Sequence, residues 1–327
     1  MIFADLLSGS GSSMKKKVLF AVLMLQICHF AGGQNEAQIS QYMFYEESFN
    51  PASIGQNTMM SASGIFRPQW IGMTNAPRTW YAAFSVPIKK NAVGIIYSGD
   101  KAGLFLMQSA VMQYARVFRV GKGKLIGGIE AGFLDHSFDT KGVNDSISSE
   151  YHEMRSDPAI PRVKEEAVGM AFDLSAGIYY VDASKYLGIS VRHLTAPKFV
   201  WQNNVKPYYP QVMYVTGGYM LPIPKNPKFV MKPSFLLKTD FISWQAEVNA
   251  MVEYSERMWG GLGYRFQDAV IFMFGLQLFN GLTLTCAVDM PTSKLIATAN
   301  FTIEVTMRYN FNIALNRANK HKSVRIL

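Results

Sequence analysis

Beyond residue 33 the sequence lacks any apolar run approaching the roughly 18 residues that a membrane-spanning helix needs. A helical membrane protein is thereby excluded, but a membrane location is not. Cysteine is nearly absent too, with Cys28 and Cys286 the only two. Cys28 falls in a segment expected to be removed, so the single remaining thiol cannot form an intramolecular disulfide. Charge is sparse, at 17% of residues, while aromatics reach 13% and there are 26 glycines. That balance suits many short strands with a lipid-facing band and aromatic girdles.

Catalytic and cofactor signatures are missing as well. Asp135, His136 and Ser137 are the residue types of a hydrolytic triad, but consecutive side chains of a strand face opposite ways, so the base could not reach its nucleophile. Gly121-Lys122-Gly123-Lys124 lies between strands and not ahead of a helix, which makes it a hairpin turn and not a phosphate loop. Asp139, Asn144, Asp145 and Glu150 offer oxygen ligands without the ordered spacing of a calcium loop. The expectation is a protein that is not an enzyme and has no cofactor or metal.

At the N-terminus, Lys15 to Lys17 precede an apolar stretch that ends in Ala31-Gly32-Gly33, the pattern of a secretory signal peptide. Residues 1–33 are assigned to it, with 1–13 a candidate mis-start ahead of Met14. Removing Asp5 and the three lysines lowers the formal charge from +9 to about +7. Arg317, Lys320, His321, Lys322 and Arg325 concentrate charge in a basic tail over 312–327. It is read first as a disordered, solvated periplasmic end and, as the sharper alternative, as a periplasmic docking arm; nothing in an exported chain calls for nucleic acid.

Residues 300–311 alternate throughout, with Phe301, Ile303, Val305, Met307, Tyr309 and Phe311 on one face and Thr302, Glu304, Thr306, Arg308 and Asn310 among the other. Such a strand separates a greasy phase from a wet one. Comparable strands are expected near 59–67, 78–87, 91–98, 105–118, 124–136, 168–181, 185–193, 212–221, 229–238, 244–254, 259–266, 270–279 and 282–289. This makes an all-β fold, a transmembrane antiparallel β-barrel of about 14 strands over residues 59–311, preceded by a periplasmic or lumen segment at 34–58. An even strand number and alternating short and long connections fit an outer-membrane barrel with its N-terminus inside. In lipid only such a closed sheet satisfies every backbone N–H and C=O. By the same alternation Glu247, Glu253, Arg265, Asp289, Glu304 and Arg308 face the lumen. Trp70, Trp80, Trp201 and Trp259 are read as interface-belt residues.

Four ordered segments are more specific. Gln41-Tyr42-Met43-Phe44 comes before Asn50-Pro51-Ala52; Arg67, Gln69-Trp70 and Gly72 lead to Ala76-Pro77-Arg78-Thr79; His193-Leu194 precedes Pro197; and Pro233 to Lys238 is followed by Trp259 to Arg265 and Asp268-Ala269. This pattern resembles the PorP/SprF family of type IX secretion outer-membrane proteins. The resemblance implies an outer-membrane component that supports secretion or surface attachment of cargo bearing the type IX C-terminal domain. Its implied partners are outer-membrane lipid, exported cargo, and the periplasmic and translocon proteins of the machine. Gln41, Tyr42, Met43, Phe44, Asn50, Pro51, Arg67, Gln69, Trp70, Arg78, Arg317, Lys320 and Lys322 are the candidate partner-binding residues. One departure is Tyr45-Glu46-Glu47, where the family usually has Asn-Pro-Leu. The alternative reading is a passive outer-membrane channel or small-molecule transporter.

Overall fold

The computed structural model describes residues 36–138, 168–199, 209–278, 281–292 and 300–311. The signal segment, the calcium-loop candidates, Trp201 and the tail residues Arg317, Lys320 and Lys322 lie outside the described residues.

The wall opens with β1 (Met60–Pro68), β2 (Arg78–Ile88), β3 (Asn91–Ala102), β4 (Phe105–Val120) and β5 (Gly123–Phe138). Next come β6 (Val168–Val181), β7 (Lys185–Arg192), β8 (Val212–Tyr219) and the two-residue β9 (Leu221–Pro222). It finishes with β10 (Phe229–Thr239), β11 (Trp244–Tyr254), β12 (Met258–Arg265), β13 (Ala269–Gln277), β14 (Leu282–Pro291) and β15 (Thr302–Phe311). β8 and β9 pair with β10 in one register, interrupted at Tyr219 and Met220, and so act as a single wall strand. Fourteen antiparallel wall strands result. The sheet closes where β15 meets β1, from Met60 opposite Phe311 to Phe66 opposite Val305, leaving no edge to be satisfied in lipid.

The alternation sorts the faces as expected. On β15, Val305 and Met307 are about half exposed while Glu304 and Thr306 are buried inside. The long connections, between β1 and β2, β5 and β6, β7 and β8, and β14 and β15, all fall at one end, and the other, with turns such as Lys89-Lys90 and Gly121-Lys122, is the periplasmic one.

Two expectations need correction. β3 runs on to Ala102, past the end expected at 98. Gly99 to Ala102 break the apolar alternation, but they pair residue for residue with Gln108 to Phe105 on β4, so the backbone ladder extends the strand where side chains gave no signal. Trp259 is not a belt residue: it is buried on the lumen side, sharing the parity of Arg265 on β12.

The lipid face supplies a direct test. Met112, 70% exposed near the middle of β4, should on replacement by arginine cost about 2–4 kcal/mol in reversible unfolding from bilayers, as for a charge near the midplane. An unchanged unfolding free energy would contradict the assigned orientation.

Candidate functional site

The lumen is filled by the chain's own residues 36–57. Three short 3-10 turns, Tyr42–Phe44, Glu46–Ser48 and Pro51–Gln56, fold this segment into a compact plug. It runs from the outer end, where Glu36 meets the end of β7, to the periplasmic end, where Ile54 packs among Ala92, Ala115 and Ile126. From there it passes directly into β1.

The upper half of the plug is latched by charge. Glu304 accepts the consecutive backbone N–H groups of Ser40 and Gln41 at 2.8 and 2.9 Å. The Ser40 hydroxyl donates to Asp289 at 2.7 Å and accepts from Arg67 and Arg265 at 2.7 and 2.8 Å. Arg67 pairs with Asp289 and Glu304, and Arg265 with Glu247, Asp289 and Asp268. These groups come from β1, β11, β12, β14 and β15, so one serine ties the plug to both strands of the closing seam. Charged groups this deeply buried are tolerated because each meets an opposite charge and hydrogen-bond partners.

A second set lies at the outer end. Glu36 accepts from Arg192 at 3.1 Å and meets His193 Nε2 at 2.5 Å, while His193 Nδ1 meets Asp173 at 2.7 Å. Burial opposes a charge on the His193 ring, and the two carboxylates outweigh it, holding the imidazole above its ordinary pKa. Lower down, Arg308 pairs with Glu47 at 2.6 Å, donates to the Phe44 carbonyl and lies over the Tyr45 ring. Phe44 in turn packs on Trp259 with ring centroids 5.1 Å apart.

The lower half is seated by shape. Asn50 caps the last turn through the Ala52 N–H at 3.0 Å and donates to the Ile178 carbonyl at 3.3 Å. A Cβ at Gly177 would lie 2.1 Å from the Asn50 side-chain oxygen, and one at Gly128 would lie 2.3 Å from the Ala52 nitrogen. Glycine at these strand positions lets the plug backbone touch the wall.

The space left beside Glu36, Ile39, Trp80, Tyr81, Arg192 and Lys238 is about 60 Å³, room for a few waters. Among the described residues no cluster of His, Cys, Asp and Glu is arranged to hold a metal.

The candidate residues sort clearly. Gln41, Tyr42, Asn50, Pro51 and Arg67 are buried in the lumen, where Met43 and Phe44 also pack. Gln69 and Trp70 belong to the outer connection, bonding Pro77 and the start of β15, and Arg78 is exposed at the head of β2. Glu247, Arg265, Asp289 and Glu304 form the upper latch, Arg308 the lower one, and Glu253 pairs with Lys232 at 2.7 Å. Sequence reading missed Glu36, Ser40, Glu47, Gly128 and Gly177 as plug contacts. An isolated glycine inside a strand signals close backbone approach, which points to the last two; nothing local marks Ser40.

Among solved structures, the TodX deltaS2S3 mutant monoaromatic hydrocarbon channel is similar at 7% identity and a TM-score of 0.50, covering 81% of this chain and 93% of that one. Omp33 of Acinetobacter baumannii, at 7% identity and a TM-score of 0.46, covers 79% of this chain and 100% of its own. A FadL homologue of Pseudomonas aeruginosa, at 10% identity and 0.45, covers 86% and 96%. The first of these shows the fold alone. No curated protein matches. A family model described as type IX secretion system membrane protein PorP/SprF matches residues 31–309.

Proposed function

The chain belongs to the PorP/SprF family of type IX secretion system membrane proteins, and from that premise we propose that this outer-membrane barrel acts by binding and not by catalysis or conduction. Its outer connections contact exported cargo or translocon parts, and its periplasmic turns and basic tail engage periplasmic proteins of the machine. The observation that carries this reading is the filled lumen. The charged side chains that would line a permeation path are engaged with Ser40, Gln41, Phe44 and Glu47 of the plug. A permeation role would need this segment to leave.

The test is affinity purification from gently solubilised envelopes, comparing the full chain with one ending at Phe311. Loss of the tail should lower recovery of periplasmic partners severalfold while the barrel still assembles, because the tail is one of several linked contacts. Unchanged recovery would remove the tail from the binding surface, and failure of the full chain to recover any periplasmic partner would overturn the binding role.

A further inference from the structure

Charge is segregated along the barrel axis. At the periplasmic end, Lys89 and Lys90 in the first turn, Lys122 in the second, Lys225 and Lys228 in the fourth and Arg257 in the fifth are all exposed. Among the described residues none of these six forms an ion pair with an acidic side chain. The acidic groups beside them are Asp182 and Glu256. Asp182 is committed to its own turn, where it accepts from the Ser184 N–H and hydroxyl and from the Lys185 N–H. The opposite end carries a smaller excess: only Arg78, Lys101 and Lys198 are exposed there among the described residues, with half-buried Asp100, Asp240 and Asp268 engaged by Thr79, by the Ile242–Ser243 turn and by Arg265.

We propose that the ring of cationic periplasmic turns is a docking surface for an acidic face of a periplasmic protein. This deepens the binding role proposed above and rests on it. Lipid phosphate is the competing source of negative charge. An outer membrane presents phosphates at both of its faces, in phospholipid on one side and lipid A on the other, so attraction to headgroups gives no reason for cations to be more numerous at one end. A partner that approaches from the periplasm does. Like charges crowded on one rim repel one another, and an acidic surface laid across them relieves that repulsion. Recognition of this kind raises the association rate and is screened by salt over about 8–10 Å.

The test uses the full chain in nanodiscs of zwitterionic lipid, with Lys89, Lys90, Lys122, Lys225 and Lys228 all replaced by glutamate in the variant. Heat-modifiable migration on gels verifies that both barrels are closed. The probe is a poly-glutamate peptide, and recovery of periplasmic protein from envelopes is measured alongside, with the same peptide as competitor. The native turns should bind poly-glutamate at least about tenfold more tightly than the reversed turns at low salt, with the difference shrinking as salt rises. Partner recovery should fall in parallel, and poly-glutamate should displace the partner.

Undiminished partner recovery by the reversed barrel would overturn the proposal while leaving the binding role intact. So would a reversal that strips anionic phospholipid from the purified protein yet spares the partner, which would assign the ring to lipid. Native protein that binds the probe but recovers no periplasmic partner would overturn the binding role and this proposal with it.

Discussion

Replacing Arg265 by alanine is expected to cost about 3–5 kcal/mol, the range for removing one member of a buried charge cluster. Arg265 is 1% exposed and holds Glu247 at 2.8 Å, Asp289 at 2.9 Å and the Ser40 hydroxyl at 2.8 Å. Without it, Glu247 keeps among the described residues only the neutral Asn249 amide, at 2.9 Å, as a hydrogen-bond partner. Asp289 keeps Arg67 and Ser40, so Glu247 becomes the uncompensated charge. Arg265→Lys should recover part of the loss, since an ammonium supplies the charge but lacks the planar fork that reaches a carboxylate and a serine together. Denaturant unfolding of the refolded barrel reads both values. An Arg265→Ala barrel as stable as the parent would mean that water already compensates these charges.

The second large effect separates two adjacent glycines. At Gly128 an added Cβ would come within 2.3 to 2.5 Å of Ala52 and Pro51 backbone atoms, whereas at Gly127 it would meet nothing within 4 Å. Backbone cannot step aside as a flexible side chain can, so Gly128→Ala should lift the lower plug from its seat. The expected stability loss is about 1–3 kcal/mol, as for other overpacked cores. Limited proteolysis should then cut the segment around Asn50 and Pro51, which is buried in the native lumen. Gly127→Ala should leave both stability and cleavage unchanged. Equal behaviour of the two variants would contradict the seating of Asn50-Pro51-Ala52 against β5.

The wall was legible in the sequence because a two-sided strand in lipid must alternate, and charges on the wrong face are too costly to be scattered at random. Glu304 and Arg308 could therefore be placed inside from β15 alone, and the short and long connections gave the direction of the chain. Trp259 shows where legibility was available but unused: it has the same parity as Arg265, which sends both inward. The plug was harder. Residues 34–58 could be set apart as a segment, but the partners of Ser40 come from β1, β12, β14 and β15. Contacts between residues more than 200 positions apart leave no periodic trace. Asn50-Pro51-Ala52 was visible as a motif, and its partner glycines as strand interruptions. What joins them is a three-dimensional closeness that no local pattern encodes.

A filled lumen held shut by its own N-terminal segment is the central claim, and single-channel recording of the intact protein in planar bilayers tests it most directly. The expected result is a closed barrel without a stable open level. A steady, ohmic conductance from the intact protein would contradict it and restore the channel reading.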